Sequence, residues 1–261
     1  MFHRFFKDLL FFWPYAIRSA KAALKAEVAG SYLNWLWWIL NPIAFMLIYT
    51  LIFGVIFQAA EPYFPLYVFI GLTMWDFFQR VVVQSVRIIS ANRNIVGKVY
   101  LPKHILVLSD MIVNAIKMLI SFFVIALMML AYRISPRMNM LYLLPVLLSF
   151  FMFTFGVGNL MMHLGVYIRD LTNVVNIVLR LVFYFTGIFF EIETRIPAPW
   201  NYWVLRLNPV AAFITQVRNV LLFGRVTHVG LLLAWAGISM LLAALSVVIV
   251  YQNENSYFKV M

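Results

Sequence analysis

Wound at about 100° per residue, a helix through residues 35–57 places Trp35, Trp38, Phe45, Tyr49, Phe53 and Phe57 within one arc of roughly 120°. The C–H faces of sugar rings stack on aromatic planes without demanding a fixed pattern of hydroxyls, so such a stripe suits a polymer that slides. The other reading is packing against a neighbouring helix, with Trp35 and Trp38 marking the bilayer interface. Pro42 removes a backbone donor and frees the carbonyl of Trp38, which bends the stripe, and Asn41 can satisfy freed polar groups. Arg180, with Tyr184 four residues on, falls in another apolar run, where an ionised arginine costs at least about 2.5–3.5 kcal/mol unless paired or hydrated. It could meet an anionic ligand. It could equally pair with an acid on another span or snorkel to the interface.

Other chemistries are missing their residues. There are no cysteines, and His3, His104, His163 and His228 are scattered without ligand spacing, which argues against thiolate catalysis and a metal centre. The nine acidic residues form no convincing pair on a common face. The Gly-Lys pair, Gly97-Lys98, lacks the upstream glycine and the following Ser/Thr of a phosphate-binding loop. Any ATP hydrolysis must come from another chain.

The elements that position these residues are membrane spans. Of 261 residues, 65% are hydrophobic and 11% charged, which fits an all-α integral membrane protein. The net charge of +11 is read as topology and contact with anionic lipid headgroups, not as nucleic-acid binding. Residues 1–31 are expected to be interfacial. Phe2, Phe5, Phe6, Leu9, Leu10 and Trp13 make the apolar face of a first helix, and after Pro14 a second stretch carries Arg18, Lys21 and Lys25. Six spans follow, at about 35–57, 64–86, 107–131, 141–167, 172–190 and 229–251. Five basic residues precede the first span and none separates it from the second, so both termini are expected in the cytosol. Residues 191–228 fit that rule less well, because Arg195, Arg206, Arg218 and Arg225 should then lie outside. Their two apolar halves are too short to span and read as a re-entrant helical hairpin, closed by Gly224.

Four stretches, "GSYLNWLWWILNPIAFMLIYTLIFGVIF", "NRNIVGKVYLPKHILVLSD", "GVYIRDLTNVVNIVLRLVFYFTGIFF" and "LNPVAAFITQVRNVLLFG", resemble in kind and order the permease subunits of type-2 ABC exporters. The branch resembled moves O-antigen, teichoic acid or capsular polysaccharide. The resemblance covers about residues 25–225 and implies a single permease domain over 1–261 with six spans. It implies a homodimer of permeases driven by two ATP-binding-cassette ATPase subunits, which would bind ATP and Mg, this chain holding no cofactor. It places the aromatic stripe, Arg180 and Tyr184 beside a channel for a lipid-linked polysaccharide in the bacterial cytoplasmic membrane. It also makes the cytosolic loop 87–104 a coupling element, with Asn92, Arg93, Asn94 and Lys98 docking on the ATPase, joined by Arg169 and Asp170 of the turn between spans four and five. One departure is "FFEIE" where the family usually has a Ser/Thr-Pro-Val turn, so the outer mouth around Glu191 and Glu193 differs.

Two rivals stand beside this reading. A membrane-embedded, lipid-dependent glycosyltransferase would need an acidic pair or metal cluster that the sequence lacks. An exporter of drugs or peptides would favour an aliphatic path, and this chain is 18% aromatic.

Overall fold

The computed structural model describes residues 2–29, 33–58, 61–254 and 256–257. Helix α1 (Phe2–Ala29) leads to α2 (Asn34–Tyr49), which continues as a π-helical turn over Thr50–Ile56. Then come α3 (Phe64–Ala91), the short α4 (Arg93–Val96), α5 (Lys103–Ala131) and α6 (Leu143–Tyr167), the last entered through a 3-10 turn. Next are α7 (Leu171–Tyr184), α8 (Ile192–Arg195), α9 (Trp200–Leu207) and α10 (Pro209–Arg218) with a π turn to Phe223, and finally α11 (Val229–Gln252). The described residues are helices and turns, as an all-α membrane protein requires. Nearly every residue of α3 between Phe64 and Phe78 is buried, and α5, α6 and α10 pack around it. Helix α11 closes on α6.

Among the described residues five helices are long and apolar enough to cross a membrane. The fifth expected span is the exception. Helix α7 has 14 residues, about 21 Å of rise against the roughly 30 Å of a bilayer core. It stops because the backbone beyond Tyr184 is held elsewhere. Asn208 Nδ2 donates to the carbonyl of Phe185 (3.2 Å), and the carbonyls of Gly187 and Ile188 accept from Arg218. Residues 185–190 therefore form turns, not helix.

The expected break at Pro14 does not occur, and α1 is one 28-residue helix. Pro14 sits on its exposed side, so the missing N–H costs no buried bond. The apolar face expected of this helix is split. Leu9 and Phe12 pack on the core with Ala16, whose carbonyl accepts from Ser109 Oγ (3.3 Å), while Phe6, Leu10 and Trp13 face outward. The Phe2 side chain and residues 30–32 lie outside what is described.

Residues 191–228 contain two unlike helices. Helix α9 exposes Trp200, Tyr202 and Trp203, whereas α10 and its π turn are buried from Val210 to Leu222 except for Thr215. The π turn ends at Gly224 (φ +59°), a left-handed position that favours glycine. The four arginines of this segment have different surroundings. Arg195 pairs with Glu61 (3.4 Å), Arg206 lies 3.4 Å above the Tyr202 ring, Arg225 stacks near Phe223, and Arg218 is buried inside the protein.

Candidate functional site

The predicted stripe exists as a chain of rings on α2. Phe45 stacks on Tyr49 (centroids 6.2 Å, 24°), Tyr49 neighbours Phe53 (6.3 Å, 39°) and Phe53 stacks on Phe57 (5.7 Å, 28°). Its parts differ in surroundings. Phe45 and Phe57 are exposed, but Tyr49 and Phe53 both rest on Phe189 at 4.5 Å, Phe53 parallel to it within 7°. The middle of the stripe is thus held by packing, and its ends are free. Trp35 is exposed, and Trp38 carries Lys117 Nζ 5.4 Å from its ring. The π turn after Tyr49, which no residue pattern announced, sets the register of Phe53 and Phe57.

Phe45 and Tyr49 face a cleft of about 550 Å³ between α2, α3 and α7. Its other walls are Trp75, Asp76 and Gln79 of α3 and Asn176, Arg180, Phe183 and Tyr184 of α7. Trp75 Nε1 donates to Gln79 Oε1 (2.6 Å), and its ring is buried against Phe78 and Phe183. Arg180 is exposed and makes no ion pair with another described residue, so its guanidinium is available to something in the cleft. Asp76 pairs at 3.7 Å with Arg80 on its own helix. Aromatic planes, amides and one free cation make a surface for a ligand with both C–H faces and negative charge.

At one end of the bundle, Arg93 of α4 and Arg169 of the α6–α7 turn line a cleft of about 340 Å³ together with Arg87. Arg87, not singled out from sequence, is oriented by its bond from Nε to Thr172 Oγ1 (2.9 Å). Asn94, Lys98 and Asp170 are exposed. Asn92 has a local job, since its Nδ2 donates to the carbonyl of Ile88 (2.8 Å) and caps α3. Helix α4 is held by Val96, which is buried to 1% exposure. Beside it, Arg4 of α1 bonds the Tyr100 hydroxyl and pairs with Glu254 after α11 (3.1 Å), which ties α1 and the segment after α11 to this loop. Burial pushes the Tyr100 phenol above its ordinary value, and the bond that Arg4 donates to the Tyr100 hydroxyl raises the Arg4 guanidinium above its own.

Sequence reasoning also missed Arg218. It is 2% exposed and donates to three backbone carbonyls, of Tyr67 (3.0 Å), Gly187 (2.7 Å) and Ile188 (2.8 Å). Its guanidinium stacks 3.5 Å from the Tyr67 ring. The only hint available was its place in a helix whose other faces are apolar.

The family model for the ABC-2 type transporter matches residues 19–222, which include every residue that lines the two clefts. The chain is 28% identical over 92% of its length, and 92% of the relative's, to the O-antigen export system permease protein RfbA of Myxococcus xanthus. It is 27% identical over 86% of both chains to a protein of the same name from Klebsiella pneumoniae.

Proposed function

The chain belongs to the ABC-2 type transporter membrane family, and on that premise we propose that it is the membrane subunit of an ATP-driven exporter of a lipid-linked polysaccharide, O-antigen-like or teichoic-acid-like. The observation that carries the substrate class is the cleft between α2 and α7, where Phe45, Tyr49 and Tyr184 share the lining with the unpaired Arg180. Rings can slide along sugars, and the cation suits the phosphate of a lipid carrier. The names of the relatives support the same cargo. A drug or peptide exporter would not need this lining, and a glycosyltransferase would need acids that the cleft does not gather. Helices α2 and α7 both leave apolar faces exposed, Leu47, Ile48 and Leu51 on one and Ile177, Val178 and Leu181 on the other, which a second permease copy would cover.

Energy then comes from two separate ATPase subunits that bind ATP and Mg. Their docking surface is the basic end formed by Arg87, Arg93, Lys98 and Arg169. The double variant Arg93→Glu, Lys98→Glu, both exposed, is expected to keep normal abundance while ATP-coupled transport falls roughly tenfold, the effect of about 1.4 kcal/mol at the docking step. Transport unchanged in that variant would contradict the docking assignment.

That basic end lies in the cytosol, in the bacterial inner membrane, with both termini on the same side. Reporter fusions after Gln58 and Arg133 are expected to score as external and one after Arg93 as cytosolic. An external signal at Arg93 would reverse the orientation.

A further inference from the structure

The cleft of about 340 Å³ at the basic end of the bundle gathers three arginines and no carboxylate. Arg87 comes from near the end of α3, Arg93 from α4 and Arg169 from the turn between α6 and α7. Elsewhere in the chain cations have answering charges: Arg4 pairs with Glu254, Arg80 with Asp76, Lys117 with Glu27 and Arg195 with Glu61. Among the described residues these three have none. Arg87 uses Nε on Thr172 Oγ1 while its two terminal nitrogens bond nothing, and the side chains of Arg93 and Arg169 make no hydrogen bond or ion pair. Asp170, the neighbouring acid, is exposed and pairs with none of them. Like charges drawn into one space repel unless an anion joins them. The rest of the cleft suits such an anion. Ser90 and Thr172 bring hydroxyls, and α7 starts at Leu171 without a side-chain cap, which leaves the first N–H groups of a 14-residue helix beside Thr172. Val86, Ile89 and Val166 form an apolar wall. The backbones of α3 and α6 touch here, since any side chain at Gly165 would overlap the Val86 carbonyl, so the arginines stand on a fixed base. Both helices are long enough to cross a membrane and end here, which puts the cleft at headgroup depth.

We propose that this cleft is a phosphate site, filled by the phosphate of a lipid headgroup or by a soluble phosphate or pyrophosphate, with Arg87, Arg93 and Arg169 as its donors. A lone carboxylate brings a single charge to the three guanidiniums. A phosphate group offers more oxygens and up to about two charges, and planar guanidinium forks match it. Carried on a lipid, it would lay its glycerol and first methylenes on the apolar wall, and basic pockets between spanning helices hold such headgroups. The site rests on no reading of the cargo. It adds to the docking assigned to this end a small anion that answers the charge of the three arginines before any partner arrives.

The test is native mass spectrometry of the purified full-length chain, without its ATPase, in a nonionic detergent. Dioleoylphosphatidylglycerol is the phosphate-bearing lipid, and dioleoylglycerol, with the same acyl chains, is the control. Two triple variants of equal charge are compared: Arg87→Gln, Arg93→Gln, Arg169→Gln in the cleft, and Arg18→Gln, Lys21→Gln, Lys25→Gln on α1. All six side chains are exposed, so both variants are expected to fold. The first phosphatidylglycerol is expected to bind about tenfold more weakly to the cleft variant than to the parent, and less than about twofold more weakly to the α1 variant. Inorganic pyrophosphate separates the sources. Pyrophosphate that binds with the same dependence on the three arginines and displaces the lipid makes the occupant a soluble phosphate. Pyrophosphate that leaves the lipid in place makes it a headgroup, and either outcome supports the site. Equal losses in the two variants would reduce the effect to general surface charge and overturn the proposal. So would a parent that takes up neither pyrophosphate nor phosphatidylglycerol in preference to dioleoylglycerol. No ATPase and no transport enter this readout, so its failure leaves the docking and export readings standing, and their failure leaves the phosphate site standing.

Discussion

Replacing Arg218 by methionine is expected to destabilise the protein by about 3 kcal/mol or more, although the residue touches neither cleft. Methionine matches the stem of arginine in length and apolarity, so the change isolates the guanidinium. That group gathers carbonyls from two separate places, Tyr67 near the start of α3 and the turn at Gly187 and Ile188 after α7. The latter two carbonyls lie outside any helix, and each left buried without a donor costs about 1–3 kcal/mol. Burial disfavours the charged guanidinium itself, and its loss returns part of that cost, which is why the expected figure is below the sum. The effect spreads to the site, because the pinned turn carries Phe189, on which Tyr49 and Phe53 rest. Chemical unfolding in detergent measures it. Arg218→Lys should restore little, since one ammonium cannot reach three carbonyls in a fork. A midpoint unchanged in Arg218→Met would show that the carbonyls find other donors. The packing is reciprocal, for any side chain at Gly71 would overlap the Arg218 guanidinium.

The positions of α2, α3, α5, α6 and α11 were legible because long apolar runs between basic loops have one physical solution in a bilayer. The face shared by Phe45 and Tyr49 was legible from helical period, whereas Phe53 and Phe57 stay beside it through a π turn that the period does not announce. Where α7 ends was not. Residues 185–190 are as apolar as the helix before them, and the chain leaves helix there only because Asn208 and Arg218, far along the sequence, capture its carbonyls. Nor could periodicity separate Tyr49 and Phe53, which pack on Phe189, from Phe45, which faces open space on the same arc. The π turn after Tyr49 has no signal in the residue pattern, and α1 runs straight through Pro14 because that residue lies on its exposed side. At the basic end of the bundle Arg93 and Arg169 could be named from a motif, but their meeting with Arg87 in one cleft is a tertiary fact. By the same helical period Trp37 and Asn41 fall outside the stripe's arc, and they line a cleft on the other flank of α2.

Because the middle of the stripe is packing, replacing Tyr49 and Phe53 together by alanine would lower protein and export in step. The free ends are the informative ones. Phe45 (52% exposed) and Tyr184 (61% exposed) line the cleft from opposite helices and support little else. Loss of two ring contacts worth about 0.5–1.5 kcal/mol each is expected to slow export roughly tenfold in Phe45→Ala, Tyr184→Ala, with abundance and assembly near normal. Arg180→Gln should slow it at least as much if the carrier's phosphate passes the cleft, a charge-assisted bond being worth about 1.5–3 kcal/mol. The direct measurement is ATP-driven movement of a lipid-linked polysaccharide across proteoliposomes that contain this chain and its ATPase, scored beside that double variant. The account predicts transport by the pair, none by this chain alone or without ATP, and the roughly tenfold loss in the variant at equal protein. Transport without the ATPase, turnover of a sugar donor by this chain alone, or a variant as fast as the parent would contradict it.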